Sequence, residues 1–220
     1  MTMTPAVELL GLSKRYGVRP ALDGLTLTLQ AGSFVALLGP NGAGKSTLFQ
    51  LLTGLFRADG GEARIAGHSI ASDAVAALRR IGVVFQQSSL DLDLSVERNL
   101  RFHADLHGLP RALATERIAT GCAALGIEAE RARAVRELSG GTRRKVELVR
   151  ALLHQPAVLL MDEASVGLDP KSRRDLLAAL RADVAARRSC VLWATHLVEE
   201  AVGADRVLVL HQGKLLADGT

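Results

Sequence analysis

Five short apolar runs along the chain have the composition of strands that are buried on both faces. They span residues 34–38, 83–85, 158–161, 191–194 and 207–210. Continuous apolar strands that alternate with helical segments are typical of a largely parallel sheet covered on both sides. After the first run, leucines recur at the helical spacing i, i+3, i+4 and i+7, at Leu48, Leu51, Leu52 and Leu55. The pattern therefore predicts an α/β fold.

The middle of the chain has a different composition. Residues 94–136 are rich in alanine, leucine, arginine and glutamate, contain one proline and include no strand-like apolar run. We predict a helical subdomain in this segment. Because no low-complexity linker separates it from the rest, we expect a single domain over residues 1–220, with the helical part packed on the α/β core.

Composition and charge narrow the classes of function. In 220 residues, 48% hydrophobic against 23% charged residues can support a core, which excludes a disordered chain, collagen and a coiled coil. The sequence shows no run of 18 apolar residues and no basic start with an apolar middle at its N-terminus, so we expect a soluble, cytosolic chain. Cys122 and Cys190 stand in apolar sequence, which predicts buried thiols rather than a disulfide or a zinc site.

The net charge of +4 is compatible with nucleic acid, phosphate ligands or an anionic membrane face. Aromatic residues are scarce, with one Trp, one Tyr and five Phe, so the stacking side chains of single-strand binding proteins are mostly missing. We therefore treat nucleic acid as the less favoured partner.

A glycine-rich loop follows the first strand and precedes the leucine-striped helix. It reads Gly39, Pro40, Asn41, Gly42, Ala43, Gly44, Lys45, Ser46 and Thr47, which is the G-x-x-x-x-G-K-[ST] pattern in its required context. Such a loop wraps so that backbone N–H groups and a helix N-terminus surround phosphates. Lys45 then reaches the β- and γ-phosphates, and the Ser46 hydroxyl is placed to ligate Mg²⁺. The loop predicts nucleotide binding.

Two carboxylates end the apolar run at 158–161. In open α/β sheets, ligands lie beyond the carboxyl ends of the strands. Asp162 would hold Mg²⁺ and Glu163 would polarise the attacking water, although on this stretch alone both could be ordinary acids at a strand end.

The tetrapeptide Leu138-Ser139-Gly140-Gly141 lies between the phosphate loop and Asp162. With these motifs in this order, essentially the whole chain resembles the ABC ATPase family, the nucleotide-binding subunits of ABC transporters. The resemblance implies a phosphate-loop ATPase core with a largely parallel sheet, an antiparallel β portion near the N-terminus and a helical subdomain.

The resemblance also implies a role for each matching residue. Glu163, His196 and Gln86 would be catalytic, as the Walker B carboxylate, the switch histidine and the Q-loop glutamine. Ser46, Gln86 and Asp162 would hold Mg²⁺. ATP would be bound by the Walker A loop, Gly39 to Thr47, by Ser139, Gly140 and Gly141 of the signature motif, and by Asp169 of the D-loop. Tyr16 would be the aromatic residue that stacks on adenine.

Several of these residues have a structural alternative. Tyr16 could merely cover a loop, Gln86 beside Gln87 could be a solvated amide at a strand end, and His196 could cap a helix or pack in the core. Their places in the family pattern favour the functional role in each case.

Basic residues cluster on two predicted helices. Arg143, Arg144 and Lys145 could mark a nucleic-acid patch, but we interpret them as a solvated helix face. The pairs Arg173-Arg174 and Arg187-Arg188 have the same interpretation.

The chain departs from the family at two places. Ala164-Ser165 stands where Pro-Thr is usual, and Thr142 stands where Gln or Met is common. Neither departure removes a group that contacts ATP. Among family members, the chain looks most like the ATPase subunits of ABC-2-type exporters.

The resemblance implies an ATP-hydrolysing motor subunit, cytoplasmic and peripheral on the inner face of the cell membrane. It would drive export through a separate integral membrane permease. It would also pair head to tail with a second copy in an ATP-dependent dimer, each signature motif closing over the nucleotide held by the other copy.

Two rival functions explain less. An ABC ATPase acting on DNA or the ribosome would carry a long coiled coil or two cassettes, and the sequence has neither. A phosphate-loop kinase or GTPase would leave the signature tripeptide and His196 unexplained. We therefore expect no nucleic-acid partner.

Overall fold

The computed structural model describes residues 4–219, which form ten strands, seven α-helices and two short 3-10 helices, Glu128–Glu130 and Val135–Glu137. The strands are β1 (Val7–Tyr16), β2 (Arg19–Leu29), β3 (Phe34–Leu38), β4 (Gly60–Ile65), β5 (His68–Ser69), β6 (Ile81–Val84), β7 (Val158–Asp162), β8 (Cys190–Thr195), β9 (Arg206–His211) and β10 (Lys214–Gly219). The α-helices are α1 (Lys45–Leu52), α2 (Ala74–Leu78), α3 (Val96–Leu106), α4 (Arg111–Ala124), α5 (Gly140–Leu152), α6 (Pro170–Arg187) and α7 (Val198–Ala201).

The larger sheet has six strands in the order β10-β9-β3-β8-β7-β6. The five strands from β9 to β6 pair in parallel, and only β10, at one edge, runs antiparallel. These five parallel strands are the five apolar runs of the sequence, because a strand buried on both faces needs apolar side chains on both. The prediction of a largely parallel α/β sheet is confirmed.

One predicted strand is displaced along the chain. β6 covers Ile81–Val84, paired with β7 from Ile81 opposite Val158 to Val84 opposite Met161. Phe85, predicted as the last strand residue, lies outside the ladder. Its carbonyl instead accepts a hydrogen bond of 2.7 Å from Nη1 of Arg144 on α5.

A second, antiparallel sheet has the order β2-β1-β4-β5 and lies near the N-terminus of the chain, as the family resemblance implied. Both sheets and α1 share one apolar core, in which Leu48, Phe49, Leu51 and Leu52 are at most 2% exposed. Leu55, the last member of the predicted stripe, is exposed because α1 already ends at Leu52.

The helical layer formed by α3 and α4 has an apolar core of its own. It joins Val96, Leu100 and Ala104 of α3 with residues of α4, and α5 contributes Val146 and Val149 to the same cluster. The segment 94–136 thus contains α3, α4, the first 3-10 helix and the start of the second, and its core also includes part of α5. The division of the chain at 94 and 136 stays a prediction.

Cys122 and Cys190 are free and fully buried, as predicted, and burial raises the pKa of each thiol to about 11. Within residues 4–219, no helix combines the length and the apolar composition that crossing a bilayer requires.

The basic run at the start of α5 is not the solvated face that the sequence predicted. Arg144 is 7% exposed. Nζ of Lys145 donates to the carbonyl of Leu125 at 3.0 Å, and Nε of Arg143 donates to the carbonyl of Val135 at 3.1 Å. The prediction failed at Arg144 because α5 packs against both the helical layer and the sheet, so this side chain meets backbone carbonyls rather than water. Arg143 and Lys145 are half-buried.

Candidate nucleotide-binding site

The phosphate loop joins the end of β3 to the first residue of α1. Gly44 caps the helix with φ of 111°, and a Cβ at this position would lie 2.5 Å from the carbonyl oxygen of Ala21. A Cβ at Gly39 would collide with the carbonyl oxygen of Leu210. Glycine is required at both positions, so the loop can follow this tight path and present its N–H groups to an anion.

Lys45 is the positive group of this loop, and it is buried. Its Nζ donates to the carbonyls of Gly39 at 2.6 Å and Pro40 at 3.2 Å, and lies 3.6 Å from Oε1 of Glu163. At 5% exposure, its charge is largely shielded from water. Because its ion pair with Glu163 is long, this buried cation can still interact with an anionic ligand such as phosphate.

Asp162 and Ser46 meet across the end of β7. Asp162 is 6% exposed, and its Oδ1 has no hydrogen-bond partner in the described chain. Burial raises the pKa of Asp162 above its ordinary value; the hydrogen bond from Ser46 opposes the shift, and the charge of Glu163 adds to it. A buried carboxylate oxygen without a partner is costly unless a ligand completes it.

Glu163 directly follows β7 in an unusual backbone conformation. Its φ is +47°, in the left-handed region that a non-glycine residue rarely adopts, while its N–H donates to the carbonyl of Ala194 at 2.9 Å. Such strain is typical of functional sites. Oε1 of Glu163 lies 3.3 Å from Nδ1 of His196, which follows β8 and is partly exposed.

Asp162, His196, Gly39 and Pro40 adjoin this site without lining its cleft. Lys45, Ser46 and Glu163 line that cleft, which has a volume of about 470 Å³. Its lining includes two residues predicted from other parts of the chain, Tyr16 at the end of β1 and Gln86 beyond β6. Tyr16 is 47% exposed and contacts Phe56 edge to face. The remaining lining residues are Ala21, Asn41, Gly42, Ala43, Gly44, Lys45, Ser46, Thr47 and Glu163.

The other predicted residues lie elsewhere. Ser139 caps α5 by accepting from the N–H of Thr142, and Asp169 caps α6 by accepting from two backbone N–H groups. Asp169 also accepts from Oγ of Ser172 at 2.6 Å, and a Cβ at Gly141 would stand 3.3 Å from the same Oγ. The signature and D-loop residues are thus neighbours, and none of them lines the cleft.

Comparison with known proteins decides the family. The model of the ABC transporter family matches residues 22–166, more than half of the chain and including the phosphate loop, the signature segment and Glu163. The chain belongs to the ABC transporter family. It is an ABC ATPase domain, and the family carries ATP binding and ATP hydrolysis.

The relatives of this ABC ATPase include two proteins named for resistance or export. It is 39% identical over 217 residues to the daunorubicin/doxorubicin resistance ATP-binding protein DrrA of Streptomyces peucetius, covering 99% of this chain and 66% of DrrA. It is 38% identical over 217 residues to the Nod factor export ATP-binding protein I of Ralstonia nicotianae, covering 98% of this chain and 67% of that protein. The chain therefore spans about two thirds of the length of these relatives.

Solved structures agree with the family. An ATP-binding subunit of an ABC transporter superposes with a TM-score of 0.90 at 30% identity, covering 98% of this chain and 90% of its own. A dimeric ATP-binding cassette in a post-hydrolysis state, bound to ADP and Pi, superposes with a TM-score of 0.89 at 25% identity, covering 97% and 98%.

Sequence reasoning missed a buried carboxylate behind the ATPase site. Glu200 on α7 is 2% exposed and accepts from Nε1 of Trp193 at 3.0 Å and Oγ1 of Thr195 at 2.6 Å. It also accepts from Oγ of Ser165, and Nε of Arg173 lies 3.5 Å away. Glu200 therefore connects three segments of the site: Ser165 after Glu163, Thr195 before His196, and Arg173 after the D-loop. The available signal in the sequence was the acidic pair Glu199-Glu200 between apolar residues.

Sequence reasoning also missed a group of charged side chains that we call the loop clamp: Arg144, Glu147 and Arg150 on one face of α5. Arg144 donates to the carbonyls of Phe85 and Gln86 and pairs with Glu147 at 2.7 Å. The N–H of Ser89 donates to Oε1 of Glu147, while Arg150 donates to the carbonyl and Oγ of Ser89. The helix that begins at the signature motif is thereby bonded to the Q-loop, here residues 85–89. Opposite charges three residues apart were the available signal.

Proposed function

We propose that this ABC ATPase is the ATP-hydrolysing motor subunit of an exporter, of the ABC-2 type that the sequence resembles, and that it acts on a separate membrane protein. The observation that carries the proposal is a cleft lined by a buried lysine, Lys45, and a strained glutamate, Glu163. Buried Asp162, whose Oδ1 has no partner, adjoins the cleft and accepts a hydrogen bond from Ser46 of its lining. The names of the relatives, resistance and export ATP-binding proteins, support the direction of transport.

Within the cleft, each side chain would act through its own chemistry. Lys45 and the N–H groups of the phosphate loop would bind the β- and γ-phosphates, and Tyr16 would stack on adenine. Glu163 would accept a hydrogen bond from the attacking water and polarise it, while His196, 3.3 Å from Glu163, would donate to the γ-phosphate. Gln86 would hold the same end of the nucleotide from the Q-loop.

The residues present also fit Mg²⁺. The hydroxyl of Ser46, the amide oxygen of Gln86 and the partnerless Oδ1 of Asp162 are hard oxygen donors, the type that this ion prefers. When bound, Mg²⁺ would neutralise charge on the β- and γ-phosphates.

A head-to-tail dimer would complete the site. Ser139, Gly140, Gly141 and Asp169 lie outside the cleft of their own chain, yet two glycines at a helix N-terminus form a natural anion-binding surface. In the proposed dimer, this surface covers the γ-phosphate held by the other copy. The solved dimeric cassette with ADP and Pi supports pairing in this family.

Size-exclusion chromatography with ATP tests the composite site. Glu163→Gln should bind ATP without hydrolysing it and elute as a dimer, because the nucleotide that holds the interface is no longer consumed. Glu163→Gln with Ser139→Arg should elute as a monomer. Ser95→Arg is the matched control, since Ser95 caps α3 as Ser139 caps α5. If both Ser139→Arg and Ser95→Arg leave the dimer intact, the signature motif is not at the interface.

We further propose that the Q-loop and α3 meet the membrane partner. Leu92, Phe102 and Leu106 are 46%, 63% and 68% exposed there, which is apolar surface suited to a protein contact. Single cysteines placed at residues 88–95 should cross-link to a co-expressed candidate permease. Both native cysteines are buried, which keeps the background low. Cross-links obtained only from residues 207–215 would place the interface at the opposite sheet edge.

A further inference from the structure

Three histidines come together outside the nucleotide cleft. His103 lies on α3, His107 caps the end of that helix, and His154 follows α5. One ring nitrogen from each lies within 4.8 Å of the others. The rings contact one another, with centroids of His107 and His154 3.7 Å apart. The cluster plays no part in the ATPase chemistry described above.

The ring nitrogens of this histidine cluster are incompletely satisfied. Nε2 of His154 lies 2.9 Å from the carbonyl of Ile81, and because a carbonyl only accepts, Nε2 carries the proton and donates. Nδ1 of His154 is then a bare lone pair, buried and without a partner, and Nε2 of His103 is likewise buried without a partner. Histidines that bind metals show this arrangement, one nitrogen donating to a carbonyl while the other faces the ion.

The imidazoles are available as neutral ligands. Burial lowers the pKa of His103 to about 3 and that of His154 to about 4, and also lowers the pKa of His107. The positive charges of Arg150, Arg117 and Arg79 act in the same direction, on His103, His154 and His107 respectively.

The donor set selects the kind of ion. Three neutral nitrogens suit zinc and related transition metals, whereas Mg²⁺ and Ca²⁺ require oxygen ligands. The positive charges of the nearby arginines repel a dication, so coordination by the histidine nitrogens must hold the ion. The same charges would favour an anion at the fourth position of a three-histidine site. We propose that His103, His107 and His154 bind Zn²⁺ through one nitrogen each, with water or an anion as the fourth ligand.

Binding would need one small rearrangement. The rings of His107 and His154 are stacked with an interplanar angle of 14°, so their lone pairs do not yet converge. His107 is the residue able to turn, because it caps the end of α3 and is only half-buried. The bound ion would fasten α3 to the segment after α5, and through His154 and Ile81 to β6 of the large sheet.

Isothermal titration of the untagged 220-residue chain with ZnCl₂, without nucleotide, tests the proposal. Avoiding a histidine tag and ATP removes two other zinc ligands. We expect one ion per chain, and a rise in Tm of about 5–10 °C at roughly 100 times the dissociation constant. His103→Ala and His107→Ala should each weaken binding at least about tenfold. His107→Ala is the safer variant for folding, because this residue is half-buried at a helix end.

Two matched variants locate the ion. His211→Ala removes an exposed histidine far from the cluster along the chain, and His196→Ala removes the histidine beside Glu163. Both should bind Zn²⁺ with wild-type affinity. The proposal is overturned if wild type binds no Zn²⁺, if His103→Ala and His107→Ala bind as tightly as wild type, or if only His196→Ala loses binding.

Discussion

The nucleotide cleft and the loop clamp both bury charged side chains, but they differ in how far the chain itself supplies hydrogen-bond partners for these charges. Beside the cleft, Oδ1 of Asp162 has no partner, and within it Nζ of Lys45 lies 3.6 Å from Oε1 of Glu163. In the loop clamp, Glu147 accepts from Arg144 with one oxygen and from the N–H of Ser89 with the other. Arg144 in turn donates to two carbonyls of the Q-loop.

This difference distinguishes a ligand-binding site from a structural contact. A buried charge that the chain leaves incomplete costs stability and is retained where a ligand completes it. A buried pair with all its hydrogen bonds made contributes mainly to one specific arrangement, here that of the Q-loop on α5. Changes in the cleft should therefore affect ATP with little effect on stability, and changes in the loop clamp should affect stability first.

The largest effect on ATPase activity is expected for Glu163→Gln. The amide keeps the size of the side chain but cannot act as a base, so ATP hydrolysis should fall about 10²-fold or more. ATP binding and Tm should stay close to wild type. Single-turnover phosphate release and nucleotide titration measure the two properties. Glu199→Gln, an exposed neighbour of the same type on α7, is the control. Undiminished hydrolysis would move the catalytic role to another group, with His196 the next candidate.

Arg144→Ala should destabilise the fold by about 3–5 kcal/mol, because it leaves the carboxylate of Glu147 buried without its partner. Urea denaturation followed by circular dichroism measures the loss. The double variant Arg144→Met with Glu147→Leu should recover much of it, since it removes both charges. If the double variant is no more stable than Arg144→Ala, the lost packing and not the unpaired charge explains the effect.

Lys45→Ala should weaken ATP binding by about 2–4 kcal/mol, because it removes the buried cation that we propose contacts the phosphates. The free energy of unfolding should change far less than in Arg144→Ala. Titration with a fluorescent ATP analogue measures affinity, and Lys14→Ala, on β1 outside the cleft lining, is the control. Near-normal affinity in Lys45→Ala would contradict the assignment of the phosphate loop.

The smallest effect is expected for an exposed ion pair on the helical layer. Asp93 and Arg136 are joined at 2.8 Å, but their side chains are 80% and 64% exposed. Asp93→Asn should change Tm by no more than about 2 °C, since water already solvates both charges. Differential scanning fluorimetry measures it. A larger loss would mean that charge pairs stabilise the helical layer irrespective of their burial.

Much of the fold followed from local patterns. The apolar runs located the five parallel strands because such strands are apolar on both faces, and the phosphate loop was recognisable because it depends on glycines at fixed spacing. Leu55 and Phe85 show the limit of this reasoning. The ends of α1 and β6 depend on neighbouring segments, which periodicity does not contain.

The sequence by itself determined the elements of the candidate site: the glycine-rich loop before α1, the acids at the end of β7 and the histidine after β8. Only the tertiary structure decided which charges are buried and what completes them. Arg144 resembled a solvated residue because its partners, the carbonyls of Phe85 and Gln86, are backbone groups nearly sixty residues away that carry no signature of their own. The approach of His154 to His103 and His107 was equally invisible, because it depends on how α3 and α5 pack.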